Sequence, residues 1–91
     1  MPQRAVIYDL SAACTGFVTA MGQAAAAVES GRSELAVVVG GEALSRITPY
    51  DDPKAAPWFG DAAGAVVVGP VEKGGIGPLV GGYDHQYRIL Y

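Results

Sequence analysis

Between Thr15 and Ser30 the chain carries a helix signal with almost no polar side. Phe17, Val18, Ala20, Met21, Ala24 to Ala27 and Val28 leave only Thr19, Gln23 and Glu29 to face water. A helix apolar nearly all round must be covered by other elements. Its flanks supply them. Ala5 to Leu10 and Leu35 to Val39 are short, almost continuous apolar runs of the kind found in strands buried on both faces. Strand, helix and strand in that order predict a right-handed βαβ crossover with parallel strands, so the chain reads as α/β. Gly31 ends the helix as its C′ residue. Gly16 and Gly22 each cost about 1 kcal/mol against alanine, which predicts close approach of another backbone there.

Beyond the second strand the signals weaken. Residues 42–58 read as irregular, with one helical turn around Ala43 to Ile47 and with Pro49, Asp51, Asp52, Pro53 and Pro57 marking loop. Phe59-Gly-Asp-Ala-Ala-Gly64 reads as a tight turn into a third strand, Ala65 to Val68. Lys73-Gly74-Gly75 is a further turn, and Ile76 to Tyr83 a weaker fourth strand in what becomes a mixed sheet. Asp84 to Tyr91 gives no element.

Composition says how much of this can stand alone. Of 91 residues, 51% are hydrophobic and only 16% charged. Typical domains carry about 25% charged residues, and a chain this short buries only about 60–65% of its unfolded surface. Much of the exterior is therefore expected to be covered by other protein. A net charge of −3 with six scattered basic residues excludes a nucleic-acid footprint. One cysteine excludes an internal disulfide and fits a reducing compartment. The start has no apolar signal core, and no run approaches the ~18 residues that span a bilayer. The expected location is cytoplasmic.

That cysteine, Cys14, falls where the first strand signal gives way to the helix. Ligands of open α/β sheets gather beyond the carboxyl ends of strands. A helix N-terminus favours negative charge, and the thiolate is the nucleophilic form of a thiol. The alternative is a small buried hydrophobe, a common fate of free cysteine.

Three blocks resemble one family. Asp9-Leu-Ser-Ala-Ala-Cys14-Thr-Gly-Phe17 looks like the nucleophile motif of type III beta-ketoacyl-acyl-carrier-protein synthases. Val37-Val-Val-Gly-Gly41-Glu-Ala-Leu-Ser-Arg46 is similar to the strand and loop that follow it. Phe59-Gly-Asp-Ala-Ala-Gly-Ala65 resembles their glycine-rich turn, with Ala62 where the family more often has glycine. The resemblance implies a thiolase-like fold of duplicated βαβ halves, dimeric in the whole protein, with residues 1–91 a single partial domain from the N-terminal half. It implies that Cys14 takes an acyl group from acyl-coenzyme A and passes it to malonyl-acyl carrier protein in a decarboxylative condensation, without a cofactor. The family's activating histidine and asparagine lie downstream, in a half that nothing after Gly82 matches. The chain thus reads as an internal segment. A non-catalytic dimer partner and an inactive truncated fragment of the same fold are the alternatives.

The remaining candidates carry two readings each. Phe17, Trp58 and Phe59 either contact substrate or fill core. Gly60 and Gly64 allow tight turning and close packing beside the active site. Asp61 is read as a turn cap accepting backbone N–H groups, in preference to an acid or base. His85 is read as a surface residue in a polar tail and not as a partner of Cys14. Asp51, Asp52, Asp84 and His85 match no metal-ligand spacing, and no glycine pattern for a phosphate cradle is present.

Overall fold

The valine run 37–39 lies in strand β1, Ala36–Ala43, which extends through Gly40 and Gly41. The structure is a computed structural model that describes residues 4–82. Strand β2, Asp61–Val68, returns antiparallel beside β1, in a register running from Ala36 opposite Val68 to Ala43 opposite Asp61. Small residues fill the far half of this ladder, where Gly40 faces Gly64 and Gly41 faces Ala63.

Helix α1, Gly16–Glu29, follows a 3-10 turn at Ala13–Thr15. It ends as its sequence directs. Gly31 takes φ +77°, and the amides of Ser30, Gly31 and Ser33 close onto the carbonyls of Ala26, Val28 and Ala27. A left-handed residue is what this carbonyl-satisfying geometry requires.

α1 packs on one face of the two-stranded sheet. Ala24 meets Val38 and Val68, with Ala20, Met21, Val28 and Ala36 around them. At the other end of the contact, a Cβ on Gly40 would stand 3.0 Å from Phe17 Cδ2, so glycine lets the ring lie against the strand. The helix therefore runs against the direction of β1, from Phe17 over Gly40 to Ala24 over Val38. Because strand side chains alternate faces, Val37, Val39 and Val67 point the opposite way and stay 63%, 68% and 68% exposed.

Several expectations are corrected here. Ala5 to Leu10 carries no regular structure, and the described residues offer it no neighbouring strand; Val6 and Ile7 are exposed. Its tie to α1 is the Tyr8 hydroxyl, donating to Gln23 Oε1 at 3.0 Å. The parallel crossover is thus absent among the described residues, and the pairing that forms is antiparallel. The helix is not buried all round: Ala24 and Ala25 are buried, whereas Val18 is exposed. Residues 59–64 make no tight turn, since β2 already begins at Asp61. Ile76–Gly82 carries no regular structure; Tyr83, the end of that predicted strand, lies outside the described residues. The close approach expected at Gly22 comes from a side chain, Leu79, whose Cδ2 would sit 3.0 Å from an added Cβ, while Gly16 has open space.

The long connection from β1 to β2 is built from turns. Leu44–Arg46 and Ala56–Trp58 are single 3-10 turns, and the Asp52 carboxylate accepts the Lys54 amide at 2.9 Å. Tyr50 donates its hydroxyl to the Phe59 carbonyl at 3.2 Å, and Thr48 donates Oγ1 to the Leu44 carbonyl at 2.6 Å. At the neck, Asp61 accepts both the Ser45 amide (2.8 Å) and the Ser45 hydroxyl (2.5 Å). The Ser45 hydroxyl first, and its amide second, hold the Asp61 carboxyl below the ordinary aspartate value of 3.8.

Two outcomes follow. Val37→Asp combined with Val39→Asp keeps the far-UV β signal and lowers dye binding by exposed apolar surface. Val38→Asp loses the β signal, because a carboxylate without a partner cannot be buried cheaply. Circular dichroism and anilinonaphthalene sulfonate fluorescence distinguish the two. For Asp61, a lowered folded value means that the clamp stabilises the fold fully above the unfolded value. That contribution is lost as pH falls through the lower folded value. The Asp61 carboxyl carbon should titrate below 3.8 by NMR and move upward in Ser45→Ala. An unmoved midpoint contradicts the clamp.

Candidate active site

Cys14 occupies the middle of the Ala13–Thr15 turn that leads into α1. Its thiol is free and exposed. The residue before it, Ala13, has φ +50°, the one positive φ outside glycine among the described residues. A non-glycine residue is held there only by its surroundings, at a cost of about 1 kcal/mol or more. Part of the hold is visible in Thr15, whose amide and hydroxyl both donate to the Ala12 carbonyl, at 3.2 and 2.8 Å. The local result is a sharp turn that sets the cysteine at the head of the helix. Neither the turn nor the helix has a side-chain cap, so the leading amides are not spent on one.

The packing fixes which end of the sheet this is. Phe17 lies on Gly40, and Cys14 precedes Phe17 by about one helical turn. Cys14 therefore lies toward the C-terminal end of β1, where the 44–60 connection leaves. Among the described residues no histidine, aspartate or glutamate is hydrogen-bonded to its sulfur.

The other candidates divide. Phe17 rests on Gly40 and remains half exposed, serving packing while keeping an open face at the cysteine end. Trp58 is 76% exposed in its 3-10 turn, and Phe59 follows it in extended conformation, partly open. Neither fills core. Gly60 and Gly64 have open space where a Cβ would be, so the packing reason expected for them is missing here. Asp61 is engaged by Ser45, and its register partner Ala43 lies on the face turned away from α1. His85 and Asp84 lie outside the described residues. What the sequence did not single out is Ser45. A serine two residues past a strand, ahead of an Asp at the next strand's start, was the available signal.

Among the described residues no helix is long and apolar enough to cross a membrane. Residues 8–84 match the family model of 3-oxoacyl-[acyl-carrier-protein (ACP)] synthase III. The beta-ketoacyl-[acyl-carrier-protein] synthase III of Streptomyces lividans is 49% identical over 85% of the chain and 23% of its own length. That of Clostridioides difficile is 47% identical over 79% of the chain and 22% of its own length. A crystal structure of the Thermus thermophilus synthase III superposes with a TM-score of 0.68 at 48% identity, covering 74% of this chain and 21% of that one. The chain thus spans about a quarter of the length of the relatives it matches, and its architecture is a fragment of their thiolase-like α/β fold. With residues 8–84 matched by that family model, the chain belongs to the 3-oxoacyl-[acyl-carrier-protein] synthase III family.

Proposed function

We propose that this chain is the nucleophile-bearing segment of an acyltransferase in which Cys14 carries the acyl group. The observation behind this reading is an exposed thiol at the head of α1, beyond the end of β1, with a strained alanine before it. As thiolate, Cys14 attacks the carbonyl of an acyl-coenzyme A thioester. The carbon–sulfur bond to coenzyme A breaks, and coenzyme A leaves as a thiol after taking a proton. The malonyl unit on acyl carrier protein then loses carbon dioxide. The resulting carbanion attacks the Cys14 thioester, forming the 3-oxoacyl product and returning the thiolate. Splitting one acyl transfer into two steps is what covalent catalysis supplies.

The leading amides of α1 support the first step, since donors aimed at developing oxyanion charge are worth several kcal/mol in acyl transfer. Phe17, Trp58 and Phe59 are the residues of this segment proposed to meet the acyl chain, and Gly60 and Gly64, with open space where a Cβ would be, leave room for it at the β2 end. Proton transfer needs a base such as the histidine and asparagine expected downstream, in the whole protein, which we take to be a homodimer of the cytoplasm. Initiation of fatty-acid synthesis is the favoured pathway, with polyketide starter loading as the variant. The broad exposed valine face favours one second reading, a segment that contributes fold and pairing without chemistry.

The test is a chimera in which residues 8–84 replace the matching segment of the Streptomyces lividans relative. Incubation with acetyl-coenzyme A should add one acetyl group to the Cys14 peptide by mass spectrometry. Cys14→Ser should cut the condensation rate by at least about a thousandfold, the scale for loss of a nucleophile. A chimera whose Cys14 is alkylated by iodoacetamide but never acylated contradicts the proposal and supports the second reading.

A further inference from the structure

Asp61 does more than start a strand. It sits opposite Ala43 in the last pair of the ladder, and its two oxygens take both polar groups of Ser45 on the other side of the neck. Between them the 44–60 connection is pinned internally. Thr48 holds the Leu44 carbonyl, Asp52 holds the Lys54 amide, and Tyr50 holds the Phe59 carbonyl. These ties brace the loop within itself, and the Ser45–Asp61 pair joins it to the sheet. The loop carries Trp58 and Phe59 and leaves the sheet at the end toward which Cys14 lies.

We propose that Asp61 is a positioning residue for acyl transfer. By clasping Ser45 it fixes the angle at which the Trp58–Phe59 edge stands beside the Cys14 end of the sheet. The inference rests on the reading of Cys14 given above. Asp61 does not act as an acid or base in it: the Ala43–Asp61 pair lies on the sheet face away from α1, and its carboxylate is already shared between two Ser45 donors. Two donors from one residue also define a direction, which a single hydrogen bond does not.

The chain carries one tryptophan and one cysteine, so each reports its own place. Asp61→Ala removes both bonds, Ser45→Ala removes the hydroxyl bond and keeps the amide bond, and Ser45→Thr retains both donors. Two readouts apply: the time-resolved anisotropy of Trp58, and the ratio of Cys14 alkylation rates for a bulky maleimide and for iodoacetamide. Asp61→Ala and Ser45→Ala should add a fast anisotropy component and change the alkylation ratio severalfold, and Ser45→Thr should restore wild-type values. Unchanged readouts in variants with a wild-type far-UV spectrum overturn the proposal. Loss of the far-UV spectrum in Ser45→Ala overturns it too, because the pair would then hold the fold and not the loop. Neither readout needs acyl transfer, so the two failures are told apart: changed readouts with no acylation of Cys14 leave the clasp and overturn its link to acyl transfer, whereas acylation with unchanged readouts overturns the clasp alone.

Discussion

The seam between α1 and β1 carries the rest of the structure. Ala24 against Val38 and Val68 fixes the depth of the helix, and Phe17 over Gly40 fixes its direction along the strand. Once those contacts are made, the head of the helix has one place to be, past the end of β1. Cys14 and the start of the 44–60 loop follow from that. The seam also explains the glycine at position 40: a Cβ there would stand 3.0 Å from Phe17 Cδ2, and the ring would have to shift off the strand. The cysteine is thus set by apolar packing several residues distant, with the Ala13 strain and the Thr15 hydrogen bonds shaping only the last turn.

The same seam is narrow, and that shapes what surrounds it. Four apolar residues, Ala24, Ala25, Val38 and Val68, are buried among those described. Val37, Val39 and Val67 form a second, open face of β-branched side chains on a sheet of two strands. An apolar surface of this kind is an association surface more often than a solvent boundary. The chain spans about a quarter of the relatives' length, and the low charge fraction of the sequence points the same way. Exposure of Val6 and Ile7 belongs to the same account, since a strand buried on both faces needs neighbours on both edges before its ladder can form.

Much of the local structure was legible. The helix limits were readable within one residue from the apolar run and Gly31, because capping geometry is written in adjacent residues. The turn at Leu44–Arg46 and the strand through the valines were readable for the same reason; Asp61, read as the cap of a 59–64 turn, instead starts β2 and accepts from Ser45. Ala5–Leu10, the parallel crossover and the fourth strand were misread, because ladders depend on partners that residue patterns do not contain. The 59–64 glycines read as a turn because Gly and Asp usually punctuate. Here Gly64 instead pairs with Gly40 in the ladder, next to Ala63 opposite Gly41, and Gly60 lies just before β2. At the site, the placement of Cys14 at the head of the helix was legible from where the apolar helix signal begins. Ser45 was not, since its role appears only when the loop brings it back to Asp61.

Packing of α1 on β1 brings the thiol of Cys14 and the loop bearing Trp58 to one end of the sheet. Energy transfer from Trp58 to a fluorophore on Cys14 measures this without added labelling sites. As a random chain, two residues 44 positions apart would average about 35 Å from each other. The account predicts efficient transfer in the native chain that falls sharply in urea. Transfer no greater in the native chain than in urea would contradict it.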